Sequence, residues 1–499
     1  MKINRNLIKT ILFISLVLFI TEPIILTSTQ ISHNPETTSV NLSAPYDWIS
    51  LWSRFDDEDD MAFDVAIDSN DDIIIGGQSY NNTIDQFVAK FDETGTQLWN
   101  DTRDGGSQDR FRALAVNGTD IYVGADYYNE ISLPSRYECF LGKYDGSGNQ
   151  LWNKSWFKSG ASGCYASDMT LSQTDAFYFI GEMTYGSHPS YTFQYFILKL
   201  NSGGTEVWNV TFGIKDEWRK TLHGIATFDD LIYVVGQERN YTRSENDPLI
   251  ACFNATTGNQ LWNITWDEPA YYQGRCMDVI VDSSGNFYVT GYHESGNTRE
   301  LFLRKYNPSR VLLWESTYQD ISSWPQGIAL EDNSNIFITG GTEMMNYESS
   351  ALLMKFASNG TLLRLGSWKG NTSAGYNIGY SVEVDTSGDV YMVGKTPGIS
   401  SMDAFIIKNL ELLIPSNGGG TGGAIPGFNL WIIIGILSCA IILMIKKYHL
   451  IKHSRLRVTV YLRASVLVTC RDLEPKEAGQ ELFPKIDGKI LLLEPSKNL

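Results

Sequence analysis

Carboxylates are the side chains of this 499-residue chain that could most readily take part in chemistry. Asp56, Asp57, Asp59 and Asp60 lie in one acidic run together with Glu58. Clustered carboxylate oxygens are the ligands that Ca²⁺ prefers, so the run predicts a calcium site. The alternative is a solvated acidic loop without an ion. No other cofactor is expected.

Four further carboxylates, Asp64, Asp109, Asp168 and Asp278, stand near strand-like apolar stretches. Two carboxylates that face one substrate are the arrangement of glycoside-cleaving enzymes, so these residues are the catalytic candidates if the protein is a lyase or a glycosidase. The sequence contains no P-loop, zinc-binding pattern or serine nucleophile elbow, and it has only 6 histidines. No catalytic residue is therefore assigned, and the chain is expected not to be an enzyme.

The elements that position these residues belong to a repeated unit. In residues 274–314 the unit has an alternating strand, a tight polar turn at 282–286, a second strand that ends in glycine, a third strand and a fourth strand with tryptophan. The glycine recurs at Gly76, Gly124, Gly181, Gly236, Gly291, Gly340 and Gly394, and the tryptophan at Trp52, Trp99, Trp152, Trp208, Trp262 and Trp314. A period of about 50 residues with four short strands is typical of a β-propeller blade.

The predicted fold class is therefore all-β, a seven-bladed β-propeller of four-stranded blades over residues 47–412. The last repeat lacks a fourth strand, and an unpaired strand at residues 49–53 precedes the first repeat. The N-terminal strand is expected to complete the last blade, because such closure removes free sheet edges.

The strongest repeats, Met277 to Gly291 and Ser381 to Gly394, resemble the propeller repeats of bacterial and archaeal surface proteins. Cys252 to Trp262 is similar to the docking turn of quinoprotein-type repeats. Both resemblances imply a propeller. A quinoprotein itself would have eight blades and a cofactor-stacking site, and neither feature is found in the sequence.

Two apolar segments predict a membrane-anchored protein. Residues 1–30 are typical of a signal peptide, followed by a spacer at 31–46. A glycine-rich linker at 413–427 leads to residues 428–445, which are uncharged and just long enough for one transmembrane helix. Basic residues follow, which predicts that the tail at 446–499 is cytoplasmic and the propeller extracellular. The stretch 425–428 resembles the entry to archaeal C-terminal surface anchors.

Glycosylation sequons favour the same orientation, since every Asn-x-Ser/Thr site precedes the predicted span. Asn100, Asn153, Asn209 and Asn263 each follow a repeat tryptophan directly. Neighbouring strand residues face opposite sides, so these asparagines should point outward where the tryptophans point inward. We expect them to carry glycans, with chance occurrence in Asn-rich turns as the alternative.

Four cysteines, Cys139, Cys164, Cys252 and Cys276, precede the predicted span. An even number in an oxidising compartment predicts disulfides, and three pairings are open. The pairs Cys139–Cys164 and Cys252–Cys276 are favoured, because each would link a third strand to the start of the next repeat.

The connections after the second and fourth strands vary in length and are rich in aromatic residues, which are common in binding hot spots. The expected binding face contains Tyr127, Tyr128, Tyr185, Trp218, Tyr271, Tyr272, Trp324 and Tyr376. Filling of a wide funnel is the alternative role.

The sequence therefore favours a surface-anchored module that binds a protein or a glycan or mediates adhesion. An extracellular propeller enzyme and a structural surface-layer component are the alternatives. The net charge of −18 argues against nucleic acid as a partner.

Overall fold

The computed structural model describes most of the predicted propeller and a short part of the tail. The chain divides into two units, residues 1–417 and 418–499. The described residues are 38–40, 46–54, 59–105, 108–132, 134–172, 176–186, 190–216, 221–240, 245–266, 273–295, 298–318, 323–332, 334–342, 348–370, 375–398, 401–410, 457–463 and 465–471.

Regular structure in these ranges consists of β-strands. In the first unit they are β1 Thr38–Val40, β2 Trp48–Trp52, β3 Asp59–Ile67, β4 Ile73–Asn81, β5 Thr83–Phe91, β6 Gln97–Arg103, β7 Asp109–Asn117, β8 Asp120–Asn129, β9 Arg136–Tyr144, β10 Gln150–Trp156, β11 Gly163–Leu171, β12 Phe177–Tyr185, β13 Thr192–Leu200, β14 Glu206–Asp216, β15 Thr221–Phe228, β16 Leu231–Asn240, β17 Glu245–Asn254, β18 Gln260–Thr265, β19 Gln273–Val281, β20 Phe287–Ser295, β21 Thr298–Tyr306, β22 Leu312–Tyr318, β23 Ser323–Glu331, β24 Asn335–Thr342, β25 Glu348–Ser349, β26 Ala351–Ala357, β27 Leu362–Trp368, β28 Gly375–Tyr376, β29 Ile378–Val384, β30 Val390–Pro397 and β31 Met402–Lys408.

Antiparallel four-stranded sheets repeat along the chain. Strands β3–β6, β7–β10 and β11–β14 each form one, as do β23, β24, β26 and β27. Strands β15–β22 form an eight-stranded sheet, in which two antiparallel sets are joined by a single parallel pairing of Asn246 with Gln273. The last sheet joins β29–β31 to β2 and β1. The N-terminal strand thus completes the last sheet, as the sequence predicted.

The sheets close into a ring around their first strands. Strands β3, β7, β11, β15, β19, β23 and β29 each lie against the next, and β29 lies against β3. Apolar clusters fill the space between neighbouring sheets; one of them packs Tyr288 and Leu301 of one sheet against Ile328 and Ile336 of the next. Radially repeated antiparallel sheets closed in this way define a β-propeller.

A β-bulge in each first strand explains the repeat glycine. At Gly291, an added β-carbon would lie 2.0 Å from the carbonyl oxygen of Arg275, because the bulge brings the first strand close to the second. The residue equivalent to Gly291 in the strand pairing is Gly77 in the first repeat and Ala125 in the second. The predicted Gly76 and Gly124 are each one residue too early, since small residues stand side by side there.

An outer-strand tryptophan docks a sheet onto its neighbour, except in the sheet of β27, where Arg364 has this position. The Trp99 indole Nε1 donates to the Gly146 carbonyl at 3.1 Å, and its ring covers Gly148, whose φ is 85°. In the N-terminal strand this role belongs to Trp48, which pairs with Lys408 just as Trp99 pairs with Lys90. The predicted equivalent, Trp52, lies four residues further along and stacks instead on Phe87 at 3.8 Å.

The described part of the second unit is one antiparallel hairpin, β32 Arg457–Arg463 and β33 Ser465–Arg471. Among the described residues, no helix combines the length and apolar character needed to cross a bilayer. The predicted signal peptide at 1–30 and transmembrane helix at 428–445 lie outside the described residues.

Candidate functional site

The bulges of the first strands place one extra side chain each at the centre of the ring. These side chains line a central cavity of about 220 Å³. They are Phe63, Arg112, Ser167, His223, Met277, Gln326 and Tyr380. The variety of these side chains at one structural position makes the centre of the ring chemically asymmetric.

Three aspartates follow the bulges of alternate first strands and bridge neighbouring sheets. Asp168 accepts the amide of Met169 at 2.7 Å and that of Ile225, in the next sheet, at 3.0 Å. Asp278 bridges Val279 and Ile328 in the same way. These carboxylates therefore fasten one first strand to the next.

Asp64 makes the same bridge and one contact more. Its oxygens accept the amides of Val65 at 2.9 Å and Leu114 at 2.7 Å. The hydroxyl of Ser381, in β29 of the last sheet, donates to Asp64 at 2.8 Å. Asp64 thus joins three first strands.

Burial raises the pKa of these carboxyl groups. It raises the pKa of Asp278 to about 7 and that of Asp64 to about 6, against the opposing effect of the amide donors. The pKa of Asp168 is raised well above its usual value, by burial first and then by repulsion from Asp278 and Asp64. Burial likewise raises the pKa of Glu383 to about 7.

A second cavity, of about 240 Å³, adjoins the first and shares Arg112, Ser167 and His223 with it. Tyr165 and Thr221, from the beginnings of β11 and β15, also line this cavity. We call it the mouth cavity, because the first strands begin on the face that carries the variable connections.

Arg112 is the fixed cation of the mouth cavity. Its Nε donates to Asp126 Oδ1 at 2.6 Å, and the Asp126 side chain is fully buried. Burial tends to lower the pKa of Arg112, but attraction from Asp126 and Glu182 outweighs it and keeps the guanidinium charged. The pair holds a planar set of donors at the wall of the cavity.

Three tyrosines form a ladder beside the mouth cavity. The ring centres of Tyr128 and Tyr137 are 5.1 Å apart, and those of Tyr137 and Tyr165 are 4.9 Å apart. The Arg110 guanidinium lies 4.9 Å from the Tyr137 ring centre, and the Tyr137 hydroxyl donates to Gln108 at 2.7 Å. All three rings are half-buried, so their positions are fixed while part of their surface stays accessible.

The predicted aromatic face divides into separate environments. Tyr128 joins the ladder, whereas its neighbour Tyr127 points to the other side of the sheet, donates to Glu138 at 3.1 Å and lies 5.2 Å from the Arg103 guanidinium. Tyr185 packs against the core of its own region.

Two further members of that face lie elsewhere. Trp324 stacks on Arg299 at 4.4 Å, and Arg299 also lies 5.5 Å from the Tyr292 ring. Tyr376 is 39% exposed, in the short strand β28. The remaining members, Trp218, Tyr271 and Tyr272, lie outside the described residues.

The acidic run shows no loop geometry where it is described. Asp56 and Asp57 lie outside the described residues, and Asp59 and Asp60 are strand residues of β3. Asp59 accepts the Met402 amide at 2.8 Å, and the buried Asp60 accepts the Arg54 amide at 3.0 Å. Successive strand residues face opposite sides of the sheet, so the carboxylates of Asp59 and Asp60 do not meet at one ion, in contrast to the prediction.

The cysteines of the propeller are free thiols in the structure, so neither predicted disulfide is formed. Cys139 and Cys164 share one apolar cluster, and Cys252 and Cys276 share another. The predicted pairs are therefore neighbours across a sheet interface, where each thiol packs as a small apolar side chain.

These thiols are expected to resist alkylation in the native protein. Burial raises the pKa of Cys164 and of Cys252 to about 12, and the thiolate is the reactive form. Mass spectrometry after iodoacetamide treatment at neutral pH should find the four residues modified only when denaturant is present, without added reductant. Labelling that requires reductant would show that disulfides form after all.

Three of the four sequon asparagines point outward as predicted. Asn100, Asn153 and Asn263 are exposed on the outer strands, while Asn209 is half-buried and donates to Glu206. Accessible amides are a requirement for glycosylation, which itself stays a prediction.

Sequence reasoning missed Arg112, Tyr137 and Tyr165 as site residues. Arg112 carried a signal, since it is a cation at a position held by uncharged side chains or histidine in the other repeats. Its importance depends on the bulge, which the spacing alone does not reveal.

Comparison with known proteins finds similar solved structures, all with low sequence identity to this chain. No family model and no curated protein matches the chain. The Dos1 propeller is 11% identical with a TM-score of 0.42, covering 69% of this chain and 78% of that one. Saccharomyces cerevisiae Sqt1 is 11% identical with a TM-score of 0.40, covering 84% and 95%. YCF48 bound to D1 peptide is 9% identical with a TM-score of 0.37, covering 76% and 96%. The fold assignment rests on the strand pairing and ring closure described above.

Proposed function

We propose that this protein is a non-enzymatic binding module, a seven-bladed propeller held outside a membrane by a C-terminal anchor, and that the mouth cavity captures a segment of a protein ligand. The observation that carries the proposal is the mouth cavity itself, where the Arg112–Asp126 pair and the tyrosine ladder meet. Fixed aromatic rings beside a fixed cation are typical of interaction hot spots.

The count of seven blades follows if the eight-stranded sheet is taken as two blades. A single residue pair joins its two halves, and β15 and β19 each occupy a position of their own among the first strands. Each half also has its own bulge, at His223 and at Met277.

A protein segment suits the chemistry of the mouth cavity better than a glycan does. The cavity combines the Arg112 guanidinium, which pairs with carboxylates and carbonyls, with the Glu182 carboxylate. Both signs of charge within one small cavity match the alternating donors and acceptors of a peptide. The sequence also allowed a glycan as the ligand, so glycans are tested separately.

The hydrogen bonds of the central carboxylates to strand amides argue against a catalytic role for these carboxylates. Asp64, Asp168 and Asp278 each use both oxygens to hold strand amides, whereas a general acid or nucleophile needs a free oxygen directed at the substrate. Raised pKa values are common at catalytic sites, but burial accounts for them here.

The outer location is supported by the sequence pattern alone. The apolar residues 428–445 precede a basic cluster, and the sequons all stand before that segment. Protease treatment of intact source cells should degrade the propeller and protect the tail, and the opposite pattern would contradict the orientation.

Replacing Tyr165 by alanine is expected to weaken ligand capture about tenfold or more, because the ladder loses the ring that borders the mouth cavity. The full-length protein would be presented with surface-protein extract and, separately, with a polysaccharide panel. Bound protein would be identified by mass spectrometry and its affinity measured.

Leu313→Ala, at an exposed residue of an outer strand, is the matched control and should bind like the wild type. Trp324→Ala tests the other aromatic cluster and should have the smaller effect. Unchanged capture by Tyr165→Ala, with an unchanged melting temperature, would refute the mouth cavity as the binding site.

A further inference from the structure

Three carboxylates converge where one sheet passes into the next. Asp85 belongs to β5, Asp104 directly follows β6, and Asp109 begins β7. Each offers an oxygen within 4.8 Å of the others. Asp85 and Asp109 are each only 2% exposed, whereas Asp104 is exposed. The cluster is thus accessible from one side and buried on the other.

One oxygen of this cluster has no hydrogen-bond donor among the described residues. Asp109 Oδ2 accepts the Gly105 amide, but Asp109 Oδ1 is buried without a hydrogen-bond partner in the described part of the chain. A buried carboxylate oxygen without a partner is costly, and such atoms commonly mark an absent ion or water. Burial, together with repulsion from Asp85 and Asp104, raises the pKa of Asp109 against the effect of Arg103.

Two arginines partly balance the cluster. Arg54 Nη1 lies 2.5 Å from Asp85 Oδ2, and the Thr83 hydroxyl donates to Asp85 Oδ1 at 3.1 Å. Arg103 acts on Asp109 from a distance while its guanidinium stacks 3.7 Å from the Phe140 ring centre. The unpartnered oxygen belongs to Asp109, one of the two buried members of the cluster.

We propose that Asp85, Asp104 and Asp109 bind a divalent cation, with Ca²⁺ as the ion that fits. The donors are all carboxylate oxygens on separate elements, which suits a hard ion that tolerates irregular geometry and completes its shell with water. Few protein ligands and two nearby arginines place the dissociation constant at about 10⁻⁴ to 10⁻³ M. The ion would hold β5 and the connection after β6 against β7.

This site is distinct from the acidic run at residues 56–60 and does not depend on the proposed ligand at the mouth cavity. It carries a structural role, because its ligands come from two adjacent sheets and the connection between them. Calcium should therefore raise the melting temperature as well as bind.

The test uses full-length protein in detergent, first stripped with EDTA and then titrated with Ca²⁺ by calorimetry. Wild type should bind saturably in the stated range, and its melting temperature should rise at about 10 mM Ca²⁺. Asp104→Asn keeps the shape of an exposed side chain, so it should fold normally and bind at least about tenfold more weakly. Asp109→Asn should also bind weakly.

Two controls locate the ion. Asp145→Asn, in the exposed turn between β9 and β10, should bind like the wild type, as should the double variant Asp56→Asn with Asp57→Asn. The proposal is overturned if the wild type shows no saturable binding or if Asp104→Asn retains wild-type affinity. Loss of binding only in the Asp56 and Asp57 variant would assign the calcium to the acidic run instead.

Discussion

Asp168→Ala is expected to destabilise the propeller by about 2–4 kcal/mol, because the buried amides of Met169 and Ile225 lose their shared acceptor. Those two amides lie in adjacent sheets, so the substitution cuts a tie between first strands as well as removing hydrogen bonds. The midpoint of urea unfolding, followed by tryptophan fluorescence, should shift markedly to lower denaturant concentration.

Two companion variants separate the bridge from its charge. Asp168→Asn keeps an acceptor for one of the two amides and leaves the other without one, so it should cost less than alanine but more than zero. Asp120→Ala removes a turn carboxylate that pairs with Lys143 and is 40% exposed, and it should cost about 1 kcal/mol or less. Equal effects of Asp168→Ala and Asp120→Ala would show that the bridge is not stabilising.

Stability is expected to be higher at pH 5 than at pH 8, the reverse of the usual behaviour of paired carboxylates. Burial raises the folded-state pKa of Asp278 to about 7, so the folded protein binds a proton that the unfolded chain releases near its ordinary pKa of 3.8. The resulting stability is fully present below about pH 4 and is lost as the pH rises to about 7. A shift of this size corresponds to at most about 4 kcal/mol.

Other groups add to this dependence or oppose it. Asp64 and Glu383 act in the same direction, since burial raises the pKa of each. His293 acts in the opposite direction, because burial lowers its pKa to about 4 and stability is lost as the pH falls below the unfolded value of 6.5. Several raised carboxyl groups against one histidine still give a net gain at the lower pH.

The measurement is the melting temperature of wild type and of Asp278→Asn at pH 5, 6, 7 and 8. The variant cannot ionise at this position, so its melting temperature should change less with pH than that of the wild type. Parallel profiles for the two proteins would refute the titration of Asp278 as a source of the dependence.

The repeat pattern predicted the sheets and the closure by the N-terminal strand, because glycine, turn and tryptophan positions are local features. It misplaced Trp48, however, since β2 contains two tryptophans and only the pairing with Lys408 shows which one docks. The error at Gly76 has the same origin, because one residue of register in a bulged strand is set by contacts between strands.

The candidate site was less predictable. The aspartates near the first strands were found, but their role depends on amides in the next sheet, which no local pattern reveals. Tyr127 and Tyr128 were assigned to one face, although adjacent residues of a strand point to opposite sides. The disulfides were predicted from an even cysteine count and from the repeat positions of the pairs; Cys139 and Cys164 share an apolar cluster but are free thiols in the structure.

The bridging carboxylates alternate with small residues around the ring, since Ala113, Gly224 and Gly327 occupy the corresponding positions. A strict alternation cannot close on seven first strands, and Ser381 of β29 has the position at which the alternation breaks. The described first strands are therefore bridged in pairs, and the seams between these pairs have no such carboxylate bridge. One such seam, between β7 and β11, runs beneath Arg112 and Tyr165. A ligand bound at the mouth cavity would contact both β7 and β11, and so would add a link that the carboxylate bridges do not supply.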